Sequence, residues 1–401
     1  MKDIKNVLYI SALASESRVA EVYHHTRTNP GFAVQKFSRL LVRGLIKNGV
    51  KATALSSPAN TARHGAVVST VRESENGIDY IYVPFVNIKY VKQVCAFLYI
   101  FFYVLIWGFK NNEHKTIICD VLCISSSSAA LLASKINRLT SIAVVTDICG
   151  LKEVNEKKTL LSRFCTAINS TYSKSFNKYI LLTEQMNKLV NPKSRPFIVM
   201  EALCDSELIS EPSKTIQKTY PRTIIYAGGI FEKYGLKMLA DGFIKANVKD
   251  AKLVYYGSGT FVDEYKEMCK RNSNLEYRGV APNEIIVEEE RKASVLVNPR
   301  FTTEEYTKYS FPSKNMEYMA SGTPLLTTKL PGMPKEYYPY VFLFQEETVD
   351  GYANAIRKAL SHSEFELKSL GYKAKQFVLL NKNNIKQGRR IVMLLNGWID
   401  N

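Results

Sequence analysis

The second half of this 401-residue chain alternates short apolar runs with longer stretches of helical period, and most of the runs stop at glycine. Strand 223–227 leads into Gly228-Gly229 and a helix over 237–247. Strand 251–256 leads into Gly257-Ser258-Gly259 and a helix over 260–272, and strand 275–277 into Gly279-Val280 and a helix over 285–293. Strand 295–298 ends in Asn298-Pro299-Arg300, a further helix opens at Ser313, and strand 324–328 follows. Strands separated by single helices join as a parallel sheet covered on both faces, because a parallel neighbour is reached only through a crossover of a dozen residues or more. The class is therefore α/β. Ligands of such sheets sit beyond the carboxyl ends of the strands, where these turns fall.

The first half follows the same plan less cleanly. Strand 6–10 precedes a long polar loop and a helix over 35–48, in which Phe37, Leu40, Leu41 and Leu45 form one apolar stripe. Strands are expected over 51–55, 79–83, 116–124, 141–146 and 179–182. A polar stretch, 204–220, separates the halves. The expected organisation is a Rossmann-like domain over 1–205, a linker over 206–220 and a second Rossmann-like domain over 221–384. A last helix over 385–401 could pack back on the first domain. Two doubly wound sheets facing each other would leave a cleft between their strand ends.

The segment 310–324, SFPSKNMEYMASGTP, is the strongest candidate site. Ser310, Phe311 and Pro312 lead into a helix whose first turn carries Ser313 and Lys314, and whose free N–H groups and positive dipole end suit a phosphate. Ser313 and Glu317 stand four apart and share one face, so a sugar nucleotide would set its pyrophosphate at the helix tip and its ribose on the carboxylate. Glu317, beside Met316 and Met319, is expected to need a polar partner. Arg300 and Lys314 are the cations placed to neutralise a diphosphate. Gly228, Gly229, Gly257 and Gly279 would let backbone N–H groups approach it closely.

On the first-half side, the loop 29–34 with Gly31 and Phe32 follows the first strand, His24 and His25 lie in the polar loop before it, and Asp147 ends the strand AVVTD. Gly31, Phe32 and His25 are the candidates for an acceptor wall.

Charge and composition narrow the partners. The formal net charge is +17, and the first 200 residues hold 26 Lys+Arg against 12 Asp+Glu, which is +14 of it. A field of that sign draws acidic lipid headgroups and lipid pyrophosphates. Nucleic acid is the weaker partner, since no zinc-finger, helix-turn-helix or RRM signature occurs. Seven cysteines without a CxxC pair suit free thiols in a reducing cytosol, and five scattered histidines make no zinc site. The opening MKDIKNVLYI reads as a buried strand and not as a leader, so a cytoplasmic protein is expected, with the inner membrane face as a surface it could touch.

Residues 94–109, VCAFLYIFFYVLIWGF, are sixteen without a charge between Lys92 and Lys110. As a helix they would span about 24 Å, short of the ~30 Å hydrocarbon core. A buried helix of the first domain is expected; docking into a membrane interface is the other reading.

Absent motifs matter too. No DxD pair exists to hold a metal on a diphosphate, so leaving-group charge would be met by helix dipole, Arg and Lys, with no metal site and no cofactor. No GxSxG or GxxxxGK[ST] occurs, which removes the common serine-hydrolase and P-loop readings.

These residues together resemble the GT-B glycosyltransferases, and within them the family 4 retaining enzymes of bacterial capsule and exopolysaccharide synthesis. The resemblance rests on IIYAGGIFEKYGLKMLADGF, LVYYGSGTF, YRGV, NPR and YSFPSKNMEYMASGTPLLTTKLPGMPKEY; the first half matches in general plan, through NPGFAVQKF, VVTD and YILLTEQMN. It implies an acceptor-binding first domain and a nucleotide-sugar-binding second domain. It implies that Glu317 binds the ribose, that Ser313-Lys314 hold the phosphates and that Gly279-Val280 lie beside the base. Asp147 falls where many relatives have a histidine at the reacting sugar. Tyr309 falls where relatives often carry a first glutamate, and Gly229 and Tyr234 where they offer an arginine and a lysine, so that Arg300 would stand in for that charge.

The implied activity is retaining transfer of a sugar, from a UDP- or GDP-linked donor, to a lipid-linked or glycan acceptor in cell-surface polysaccharide synthesis. A sugar-nucleotide epimerase, and an inactive subunit that binds a partner or membrane, stay open.

Overall fold

A computed structural model describes residues 6–26, 31–110, 114–151, 160–209 and 217–398. The chain forms two compact units, Met1–Leu203 with Asn383–Asn401, and Cys204–Lys382.

The first unit begins with β1 (Asn6–Ser11), α1 (Glu16–Thr26), α2 (Phe32–Lys47) and β2 (Lys51–Ser56). A small antiparallel pair, β3 (Val67–Val68) with β6 (Phe85–Val86), brackets β4 (Val71–Glu75) and β5 (Ile78–Tyr82). Then come α3 (Val91–Phe109), β7 (Lys115–Asp120), α4 (Ile124–Ile136), β8 (Thr140–Val145), α5 (Leu160–Tyr172), β9 (Lys178–Leu181), α6 (Glu184–Val190) and β10 (Phe197–Val199). The eight-stranded sheet runs β10-β9-β8-β7-β1-β2-β5-β4. It is parallel except at β4, which pairs antiparallel with β5 through the turn at Asn76-Gly77.

The second unit is regular: β11 (Arg222–Gly229), α7 (Leu236–Ala246), β12 (Ala251–Ser258), α8 (Val262–Arg271), β13 (Leu275–Tyr277), α9 (Asn283–Lys292), β14 (Val295–Asn298), α10 (Ser313–Ser321), β15 (Leu325–Thr327), β16 (Phe342–Leu343), α11 (Val349–Ser361) and α12 (Glu364–Asn381). Its all-parallel sheet has the order β13-β12-β11-β14-β15-β16, with the reversal of winding between β11 and β14. The last helix, α13 (Asn384–Asn396), belongs to the first unit and crosses α2 where Gly44 meets Gly388; a Cβ on Gly44 would lie 2.2 Å from the Asn384 carbonyl oxygen. Each sheet buries its own apolar core, around Tyr9, Leu41, Ile118 and Ile391 in one unit and Tyr226, Leu239, Tyr255 and Ile356 in the other.

Several expectations need correction. The polar stretch after the first strand holds a helix, α1, so His24 and His25 sit in its last turn and not in a loop. Alternation of polar and apolar residues there is weak, and only Val19 and Val22 are buried, which hid it. Helix α2 begins at Phe32, so Phe32 is helical and Gly31 is its N-cap at φ 84°; Asn29 and Pro30 lie outside the described residues. The strand expected over 116–124 ends at Asp120, because Ile124 already opens α4. The stretch after Cys204 is partly structured: Ser206–Ile209 form a 3-10 turn, and the Lys218 ammonium donates to the carbonyls of Arg291 and Ala293 at 2.8 Å each. Most consequentially, α3 is not buried: only Ala96, Ile100 and Val104 face the interior.

Candidate functional site

The site in the second unit is built by a gap in its sheet. β11 pairs with β14 only at Ile224↔Val295 and Ile225↔Leu296, while it continues with β12 through Gly229↔Ser258. Beyond Ile225 the two strands on either side of the winding reversal part, and one edge of β11 loses its ladder. A buried backbone edge needs other partners. Tyr318 of α10 supplies them: the Ala227 N–H donates to the Tyr318 hydroxyl at 3.0 Å, and that hydroxyl donates to the Ala227 carbonyl at 3.3 Å.

The turns after β11, β12 and β13 are bonded to one another. Gly257 N–H donates to the Gly279 carbonyl at 2.7 Å, Ile230 N–H to that of Ser258 at 2.8 Å, and the Tyr277 hydroxyl to that of Gly257 at 2.8 Å. Two glycines are obligatory here. A Cβ on Gly257, at φ 130°, would fall 1.8 Å from the Gly228 carbonyl oxygen, and one on Gly228 would fall 2.4 Å from Lys314 Cε. Gly228 thus lets the lysine side chain lie along the end of β11.

Helix α10 starts at Ser313 with no side-chain cap and no acidic residue in its first turn; the Asn315 N–H donates to the Pro312 carbonyl at 3.0 Å, which leaves the N–H groups of Ser313 and Lys314 for an external acceptor. Its base is fixed from behind. Asn315 is fully buried, accepts from Asn298 Nδ2 at 2.6 Å and donates to Thr327 at 3.4 Å. Phe311 and Pro312 are buried, with the Phe311 ring 5.2 Å from that of Tyr337. Ser313 and Glu317 occupy the exposed face, while Met316 and Met319 point into the core. Glu317 thus neighbours the two methionines in sequence while its carboxylate lies on the other side of the helix, since i and i+1 residues diverge by about 100° around the axis.

Two cations converge on this place. Lys314 Nζ stands 5.9 Å from the Tyr226 ring, and the Arg300 guanidinium stacks 4.6 Å over the Tyr234 ring. Among the described residues neither side chain has a hydrogen-bond acceptor, and Arg300 Nε is buried without a partner, as is the Tyr306 hydroxyl. Burial pulls the Lys314 ammonium below the usual lysine range; Glu317 and Glu290 oppose that shift and Arg300 adds to it. Burial likewise raises the Tyr226 phenol, against the pull of Arg300. A guanidinium and a desolvated ammonium that make no ion pair among the described residues, beside an uncapped helix start, make an anion site of two charges.

The structure thus brings together Gly228, Gly229, Tyr234, Gly257, Gly279, Arg300, Ser313 and Lys314. Tyr309 ends the 3-10 turn Glu305–Tyr309 and, with Ser310, is half-buried just before the helix; Val280 is 74% exposed beside Gly279. Asp147, Gly31, Phe32 and His25 belong to the first unit. Asp147 lies two residues past the end of β8, and its carboxylate accepts from the Ile148 N–H at 3.0 Å, as a turn residue does. His25 Nδ1 is 2.9 Å from the Glu21 carbonyl, and the exposed Phe32 ring packs edge-on against Tyr23. Sequence reasoning missed Tyr226, Tyr306 and Tyr318. Tyr318 was findable, as a polar-tipped aromatic on the buried face of α10; Tyr306 sits in irregular chain and gave no signal.

Residues 221–362 match the model of a family described as "Glycosyl transferases group 1". No curated protein matches the sequence. Solved structures align over nearly the whole chain. A sucrose-phosphate synthase from Thermosynechococcus elongatus superposes with TM-score 0.66 and 13% identity, covering 98% of this chain and 99% of that one. The Anabaena protein HepE in complex with UDP gives 0.62 and 11%, covering 99% and 100%, and the pneumococcal O-GlcNAc transferase GtfA with UDP and GlcNAc gives 0.60 and 10%, covering 98% and 99%. The fold is that of the GT-B glycosyltransferases, and the stretch similar to the group 1 family lies within the second unit.

Proposed function

We propose that the protein is a retaining glycosyltransferase that takes a sugar from a nucleotide-diphosphate donor, with UDP as the leaving group. One observation carries this reading: Lys314 and Arg300 converge, without acceptors among the described residues, on the uncapped start of α10 at the winding reversal of the second sheet. The UDP held by two of the similar structures supports the base. Lys314 and the first N–H groups of α10 would take the distal phosphate, with Arg300 on the sugar side of it. Glu317 on the exposed face of α10 would accept from the ribose, with Gly279-Val280 beside the base. Charge developing on the departing phosphate would then be met by fixed cations and amides, with no metal ion needed to neutralise it. In a front-face displacement with retention, the departing phosphate oxygen takes the acceptor proton, so the protein need supply no separate base and its task is positioning.

The acceptor we assign is lipid-linked or glycan, and the setting cell-surface polysaccharide synthesis of the capsule or exopolysaccharide kind, on the cytoplasmic side. Gly31, Phe32 and His25 are the acceptor-side candidates, Asp147 is the candidate at the reacting sugar, and the basic first 200 residues favour an acceptor carrying phosphate. The test is a thermal-shift series with UDP, GDP, ADP and TDP. A ligand at a hundred times its Kd should stabilise the fold by about 2.7 kcal/mol. UDP is expected to act alone among the four, and release of UDP from UDP-sugars should require an acceptor. A protein that none of the four stabilises is not this enzyme.

A further inference from the structure

Helix α3 exposes an apolar stripe that a sugar-transfer site does not require. Val91, Val94, Leu98, Phe102, Ile106 and Phe109 recur at spacings of three and four residues, and each is between 39% and 73% exposed. Only 17% of the helix is buried. Its inner side is held: Asn137 Nδ2, just past α4, donates to the Leu105 carbonyl at 2.8 Å, and Lys115 Nζ to that of Trp107 at 2.7 Å. At about 1.5 Å per residue the stripe is some 28 Å long. Exposed lysines stand at its two ends, Lys89 before it and Lys110 after it, and no acidic residue occurs within it.

A second observation lies beside the first. A cavity of about 610 Å³ opens where β1, β2 and β7 begin, with Lys51, Arg72, Lys110 and Lys115 in its lining against Glu73 and Asp79. Glu73 is already engaged by the Tyr82 hydroxyl and lies 4.0 Å from Arg18. Tyr103 and Trp107 of α3 complete the wall, and Tyr103 also lines the shallow apolar groove formed by Leu98, Tyr99, Phe102 and Ile106. An apolar surface and a basic chamber therefore share one side chain.

We propose that α3 docks the protein on an anionic phospholipid bilayer, lying in the plane of the interface with its stripe among the acyl chains and a lipid phosphate in the basic chamber. Charge complementarity selects this occupant, since cations at both ends and beside the helix face the level of the headgroups while the stripe lies deeper. Aromatic rings at that level, Tyr90, Tyr99, Tyr103 and Trp107, have the amphipathic character of interfacial anchors. Spanning is disfavoured, because it would strip α3 from α4 and break the bonds to Asn137 and Lys115. The inference stands apart from the sugar-transfer reading and survives its failure.

The test is flotation with vesicles of phosphatidylcholine alone and of equimolar phosphatidylcholine and phosphatidylglycerol. Trp398→Phe leaves Trp107 as the single tryptophan of the two, and its emission should shift to the blue and be quenched by brominated lipid only with the anionic vesicles. Phe102→Asp with Ile106→Asp should weaken binding at least about tenfold. Arg72→Ala and Lys110→Ala should each weaken it about fivefold. Both sets should leave the melting temperature unchanged, and the milder Leu98→Gln is the check should the double variant fold poorly. Binding to neither vesicle, equal binding to both, or binding indifferent to the aspartates would overturn the proposal. So would a vesicle-free dimer that those aspartates dissolve, which would make a second copy the occupant, or retention in membranes through alkaline carbonate, which would mean spanning.

Discussion

The Tyr318 hydroxyl stands 3.0 Å from the amide nitrogen of Ala227 and 3.3 Å from its carbonyl oxygen, so one side chain of α10 closes the backbone edge that β14 leaves open. The arrangement couples the helix whose start faces the proposed phosphate to the strand whose end carries Gly228. Tyr318→Phe should leave two buried backbone groups short of a partner, at about 1–3 kcal/mol for an unsatisfied buried group. Denaturant unfolding should show that loss, and calorimetry should show weaker UDP binding in the folded variant, because α10 would be less firmly held.

Lys314→Ala and Arg300→Ala should each lower affinity for UDP about tenfold to a hundredfold, as expected for charge-assisted contacts of about 1.5–3 kcal/mol. Affinity for uridine should stay near that of the parent. Equal losses for UDP and uridine would place both cations away from the phosphates. Arg300→Ala should also slow transfer more than it weakens donor binding.

Burial holds the Lys314 pKa below the ordinary lysine range, so its charge is lost at a lower pH than that of an exposed lysine. UDP affinity should fall as pH rises through that window, and Lys314→Arg should flatten the fall, because a guanidinium stays protonated. The stability of the free protein moves the other way. The unfolded chain binds more protons there than the native one, so stability should rise with pH across the same window and carry a constant penalty below it. Calorimetric titrations and melting curves over the alkaline range separate the two effects.

Asp120, buried at the end of β7, has its carboxyl pushed up from 3.8 to about 6 by desolvation, against the Leu122 N–H and Cys123 thiol that favour the charged form. The native state holds the extra proton between those values, so stability should fall as pH rises through them. The ionised carboxylate then costs about 3 kcal/mol at neutral pH. Asp120→Asn keeps the acceptor for Leu122 and should raise the melting temperature at pH 7, with no gain below about pH 4.

The second unit was legible because its glycine turns, its helical periods and its short apolar strands all agree with one topology, as in β12 with Gly257 and α10 with Gly322. The first unit was harder. α1 buries only two side chains, and β4, reading VRESE, has no apolar face to announce a strand. α3 misled for a physical reason: an uncharged apolar run reads the same whether protein or something else covers it, and only the packing shows that Phe102 and Ile106 are uncovered. The cations Arg300 and Lys314 were visible as residues. Their lack of internal acceptors, and the tyrosines around them, depend on how chain distant in sequence folds together.

Arg300 rests on an aromatic ring and not on a carboxylate. An arriving diphosphate would therefore break no ion pair before it binds, and capture should be limited by diffusion and salt screening more than by rearrangement of the protein.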